Sequence, residues 1–120
     1  MFKVTGINKL KIIMTEGDFG NALPIEFELE NGEEIGAGDS FKFSIYSAIN
    51  TEPIITKNYT GSDIKESTIE FSLTQEETKL LPVGNYLYDI DWFNGSTFLS
   101  NIIEQEHFIV SEKAGLVNEN

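Results

Sequence analysis

The chain lacks cysteine and arginine altogether, and holds one histidine and three prolines among its 120 residues. Without cysteine there is no disulfide scaffold and no thiol chemistry. A zinc site needs three or four nitrogen or sulfur ligands, which His107 alone cannot supply. All eight basic residues are lysines, so no guanidinium fork is present to clamp phosphate or carboxylate in bidentate fashion. Twenty acidic residues stand against them, and the net charge of −12 repels phosphate backbones and anionic lipid surfaces. Neither nucleic acid nor a membrane is an expected partner. Long hydrophobic runs are missing too. Ile12-Ile13-Met14 is too short for the apolar core of a signal peptide and is followed by no small-residue cleavage site. Synthesis in a reducing cytoplasm without a secretory signal is expected.

What is present alternates with period two. Tyr86, Tyr88, Ile90 and Trp92 share one face of a strand whose other face carries Asp89 and Asp91. Asn94-Gly95 comes next and predicts a type I′ hairpin turn. Leu23, Ile25, Phe27 and Leu29 alternate with three glutamates, and Phe41, Phe43 and Ile45 alternate with Lys42, Ser44 and Tyr46. Further strands are expected over 10–15, 53–60, 68–73, 96–100 and 102–110, the last two forming one strand with a bulge near Asn101. Pro53, without an N–H to donate, places its strand at a sheet edge or start. Thr74-Gln75-Glu76-Glu77 reads as a capping box opening a single helical turn that Pro82 closes. The expected fold is all-β, an immunoglobulin-like antiparallel β-sandwich of about seven strands with one short helical turn before the penultimate strand. One domain spans 1–111, and 112–120 reads as a flexible tail.

Structural roles fall to Gly84, Tyr86, Trp92, Asn94 and Gly95. Tyr86 suits a tyrosine corner, its hydroxyl bonding back to backbone near Leu80 or Leu81. Candidates for chemistry are few. His107 sits beside Glu106 with no nucleophile in view, and reads as a solvated strand histidine. Asp18, Glu33, Glu34, Asp39, Asp63, Asp89 and Asp91 are hard oxygen donors of the kind calcium takes, but match no EF-hand spacing. Such carboxylates are more often solvated charge. Paired acids for glycoside hydrolysis need a cleft that nothing in the pattern signals. Tyr46, Tyr59, Phe93 and Phe98, with Phe19, occupy outward-facing or loop positions where a protein partner or a flat sugar can stack, although ordinary packing is the more frequent explanation of such residues. No catalytic, cofactor-binding or metal-binding residue is assigned.

Four segments in order carry a family resemblance. Gly17-Asp18 succeeds the first strand, and Leu23-Pro24-Ile25-Glu26-Phe27 lies in the second. Asp39-Ser40-Phe41-Lys42-Phe43-Ser44-Ile45 forms the third, and Leu81-Pro82-Val83-Gly84-Asn85-Tyr86 precedes the penultimate one. Together they resemble phage and prophage tail domains, in particular the N-terminal β-sandwich of siphophage baseplate upper proteins from low-GC Gram-positive hosts. The resemblance runs from about Ile7 to Ser111. Frequent Ile, Asn, Lys and Glu with arginine missing fits an AT-rich genome of that kind. The resemblance implies a non-enzymatic, virion-associated structural or assembly module. Its partners would be other phage structural proteins or further copies of itself. The alternative from the residues is a carbohydrate-binding or adhesin-type module, assisted by calcium if the acidic loops take part.

Overall fold

A computed structural model describes residues 2–5, 11–29, 35–47, 52–64 and 68–112. Strands β1 (Phe2–Thr5), β3 (Leu23–Leu29) and β6 (Thr68–Phe71) form a small antiparallel sheet in the order β1-β3-β6. Strands β2 (Ile12–Thr15), β4 (Asp39–Tyr46), β5 (Ile55–Thr60), β7 (Gly84–Asn94) and β8 (Thr97–Ser111) form a larger one in the order β2-β8-β7-β4-β5. The two sheets enclose a common core. From the large sheet come Phe41, Phe43, Ile45, Tyr86, Tyr88, Ile90, Trp92, Phe108 and Val110; the small sheet contributes Ile25, Ile69 and Phe71. The period-two pattern sets this up, since every second side chain of β4 and β7 points the same way. Phe43 stacks on Phe71 across the sheets at 4.3 Å and on Tyr88 within its own sheet at 5.1 Å.

The helical turn α1 (Gln75–Thr78) links the small sheet to the large one. Its capping box forms as the residues dictate: the Glu77 amide donates to Thr74 Oγ1 at 3.1 Å and the Thr74 amide to Glu77 Oε1 at 2.9 Å. The same Glu77 oxygen takes the ammonium of Lys57, on edge strand β5, at 2.9 Å. One carboxylate thus starts the helical turn and ties it to the sheet edge. Burial pushes the Glu77 carboxyl up, but the Thr74 amide and Lys57 outweigh it and hold it below its ordinary value.

The all-β class stands, with three corrections. The sheets are not wholly antiparallel, because β2 runs parallel to β8, Ile12 opposite Phe108. Eight strands are present among the described residues, since Phe2–Thr5, whose alternation runs over only four residues and which is not among the expected strands, pairs with β3. The hairpin turn is Gly95-Ser96, not Asn94-Gly95: Asn94 still pairs with Thr97, and φ is positive (61°) at Gly95 alone. Glycine at the first central position with an ordinary second residue is the type II′ pattern, equally matched to strand twist. Residues 113–120, expected as a tail, lie outside the described residues, as do Glu33 and Glu34.

Candidate functional site

Strand parity on β4 and β7 defines an outer face of the large sheet. Ser40 pairs with Phe93, Lys42 with Asp91, Ser44 with Asp89 and Tyr46 with Leu87. On β8, Phe98 lies opposite Phe93, Asn101 opposite Asp91 and His107 opposite Leu87. Of the five expected surface aromatics, Phe19 is exposed in the loop after β2, while three share this face: Tyr46, Phe93 and Phe98. Tyr59 does not. It pairs with the fully buried Phe41 and packs against the core, because alternation along β5 turns it inward. Burial, with Glu77 and Asp63 nearby, pushes its hydroxyl up to about 12.

At the hairpin end the face becomes apolar and aromatic. Phe93 and Phe98 meet edge-on at 5.7 Å, and the Lys42 ammonium lies 5.9 Å from the Phe93 ring. Phe98 is 51% exposed and its neighbour Leu99 42%. In a regular strand one of two successive side chains turns inward. Here the pairing steps from Phe93–Phe98 to Trp92–Ser100 and leaves Leu99 as an extra residue, so both stay outside. Strict alternation gives no sign of Leu99, and only the bulge brings it out. Ile13, 52% exposed on β2, pairs with Ile109 at the far side of the same sheet.

The middle of the face is acidic. Asn101 Nδ2 donates to the Asp91 carboxylate, which burial and the charges of Asp89 and Glu104 push up while Asn101 and Lys42 pull it down; the net direction is upward. Asp89 serves the backbone instead. Its Oδ1 accepts from the Gln105 amide at 2.6 Å, holding a second bulge in which Gln105 adopts φ of 53°. The third skipped residue of β8 is Ile102, so register shifts flank the expected position near Asn101 on both sides. Left-handed backbone disfavours a side chain with Cβ by roughly 1–2 kcal/mol. Gln105→Gly is accordingly expected to raise stability by about 0.5–1 kcal/mol after glycine's greater unfolded entropy is counted. Urea unfolding of the two proteins checks this, and a less stable glycine variant would show that the bulge is not strained.

Behind the hairpin lies a polar clasp. Asp39, 6% exposed at the start of β4, accepts from Asn94 Nδ2 at 2.7 Å through Oδ1 and from the Gly36 amide at 3.0 Å through Oδ2. The Gly95 amide donates to the Gly38 carbonyl at 3.1 Å. Burial works to raise the Asp39 carboxyl, yet donation from Asn94 and Gly36, with a contribution from Trp92, holds it below its ordinary value. Trp92 itself is buried and lies parallel to Phe41 at 6.2 Å. Gly84 opens β7, and the Tyr86 hydroxyl donates to the Pro82 carbonyl at 2.6 Å, one residue beyond the expected Leu80 or Leu81.

No protein-family model matches the chain, and no curated protein matches it.

A groove of about 230 Å³ flanks the core between β2 and the ends of β3 and β6, with Ile12, Met14, Leu23 and Leu73 in its wall. Its polar lining is Thr15, Asp18, Asn21 and Ser72, which brings no base to a nucleophile. His107 is exposed on β8, outside this groove. Among the described residues no three histidine or acidic side chains come together to hold a metal ion.

Proposed function

We propose that this domain is a non-enzymatic interaction module of a phage or prophage virion, acting through the hairpin end of its large sheet. The observation that carries the reading is the pair Phe98 and Leu99, adjacent large apolar side chains both kept in solvent by a bulge and flanked by Phe93. Apolar side chains gathered at one end of a sheet favour burial against another protein. The acidic middle of the face and the net charge of −12 favour a partner with basic residues around an apolar centre. The ordered segments that resemble baseplate sandwiches give the virion context.

The strand order supports an immunoglobulin-like sandwich. In that fold the second and fifth strands share one sheet, and the third, sixth and seventh share the other. Here β3 and β6 fall together, as do β4, β7 and β8, with β5 as an added edge and the first strand divided into β1 and β2. The Tyr86 hydroxyl on the Pro82 carbonyl, just after the helical turn, supports the tyrosine corner of the same fold.

The test is size-exclusion chromatography with light scattering, on the chain alone and mixed with each tail or baseplate protein encoded beside it. Co-elution with one of them is expected. Leu99→Asp, which alters only an exposed side chain, should abolish it while leaving the melting temperature within a few degrees. A chain that stays monomeric with every such protein would contradict the reading.

A further inference from the structure

We propose that Asn94-Gly95 is a latent deamidation site, held closed in the folded domain by the contacts both residues make with the Gly36–Asp39 turn, and that its conversion releases the β7–β8 hairpin from that turn. The chain contains two Asn-Gly steps, Asn31-Gly32 and Asn94-Gly95. Glycine after asparagine is the most permissive arrangement for the reaction, because no Cβ obstructs ring closure. The Gly95 nitrogen gives its proton to solvent base and attacks Asn94 Cγ. The bond from Cγ to Nδ2 breaks, and that nitrogen leaves with a proton as ammonia. Water then opens the five-membered succinimide at either carbonyl, leaving aspartate or isoaspartate at position 94. One water enters and one ammonia departs, with no oxidation or reduction.

Four features of the fold oppose this. The Gly95 N–H that must be lost is donated to the Gly38 carbonyl at 3.1 Å. The leaving amide is pinned by its own donation to Asp39 Oδ1 at 2.7 Å. Asn94 is also laddered on both sides, opposite Asp39 in β4 and Thr97 in β8, which keeps its backbone extended. The Asp39 carboxylate, buried and negative, further disfavours the anion that forms as the ring closes. Local opening must precede reaction, and it breaks a charge-assisted hydrogen bond together with a neutral one.

Conversion then removes the donor that Asp39 accepts from and sets a carboxylate in its place. Two like charges at contact distance beside a buried group cannot both stay ionised without penalty. In the isoaspartate product the main chain gains a methylene, which also breaks the pairing of Asn94 with Asp39 and Thr97. Any effect on partner docking rests on the function proposed above, so the test reads mass and stability alone.

The full chain is incubated at pH 8 in native buffer and in concentrated urea, and peptide mapping by mass spectrometry tracks the amide-to-acid conversion at Asn94, with Asn31 as internal reference. Comparable rates at both sites are expected in urea, and a rate at Asn94 slower by about 10- to 100-fold in native buffer. Conversion of Asn94 in native buffer at the urea rate would overturn the proposal. Asp39→Ala, if folded by circular dichroism, should speed native conversion, and a folded variant as slow as the parent would also overturn it. Asn94→Asp, the direct product, tests the second half without relying on that variant. It should melt lower than the parent at pH 7 and recover part of the difference on acidification, as the two carboxyls come to share a proton. An unchanged melting temperature at pH 7 would show that conversion does not release the hairpin.

Discussion

Phe43→Ala is expected to lose about 3–5 kcal/mol of folding stability. Phe43 has 0% exposure and stands where the two sheets meet. Its ring stacks on Phe71 of β6 at 4.3 Å and on Tyr88 of β7 at 5.1 Å, while Phe108 closes edge-on against both of those rings at 6.0 and 6.2 Å. Removing it takes away transfer free energy and leaves a cavity between layers that are each held rigid by their own ladders. A domain of this size is stable by roughly 5–15 kcal/mol, so the loss is a large share of the total. Urea unfolding should show a lower midpoint with an unchanged slope. A loss below about 1 kcal/mol would mean that the two sheets do not share this core.

Asp39→Ala is expected to lose about 2–4 kcal/mol, because it removes the acceptor of two charge-assisted hydrogen bonds at a buried position. Asn94 and the Gly36 amide are both left without their partner, and the hairpin loses its hold on the turn before β4. The direction of the shift sets the pH dependence. The folded-state carboxyl lies below the ordinary 3.8, so its contribution is fully present above that value and disappears as pH falls through the lower folded-state value. The gap in stability between the parent and Asp39→Ala should therefore be constant from neutral pH down to about 5 and narrow in strong acid. Thermal melts across pH measure it. A gap that widens on acidification would mean that the carboxyl is raised by burial rather than held down by its donors.

Much of this architecture is legible in the alternation. Tyr86, Tyr88, Ile90 and Trp92 are buried as their spacing demands, and Phe41, Phe43 and Ile45 likewise. The capping box at Thr74 and Glu77 is a local device whose partners lie three residues apart, so it can be read directly. Contacts between distant residues cannot. Asn94 and Asp39 are separated by 55 positions, and neither shows in sequence that it holds the other. The turn also falls one residue later than the Asn-Gly step suggests, since Asn94 stays in the ladder while Gly95 takes the positive φ.

Period-two reasoning also fails wherever a strand carries an extra residue. Strand β8 carries three against β7, near Leu99, Ile102 and Gln105, and each shift reverses the facing of the residues beyond it. Leu99 is hidden from the pattern for this reason. Tyr59 departs from its expected outward position for a different one: β5 is an edge strand with weak alternation, and only its pairing with Phe41 shows which way it faces. The parallel pairing of β2 with β8 joins opposite ends of the chain and has no local signature.

The function proposed for these features requires that the hairpin end of the large sheet be covered in the assembled particle. Hydrogen–deuterium exchange of the chain, free and bound to the tail protein it co-elutes with, tests this most directly. Protection gained on binding is expected in peptides covering 91–101, around Phe93, Phe98 and Leu99, with little change on β5 or in the groove beside β2. Protection confined to those other surfaces, with the hairpin exchanging as freely as in the isolated chain, would contradict it.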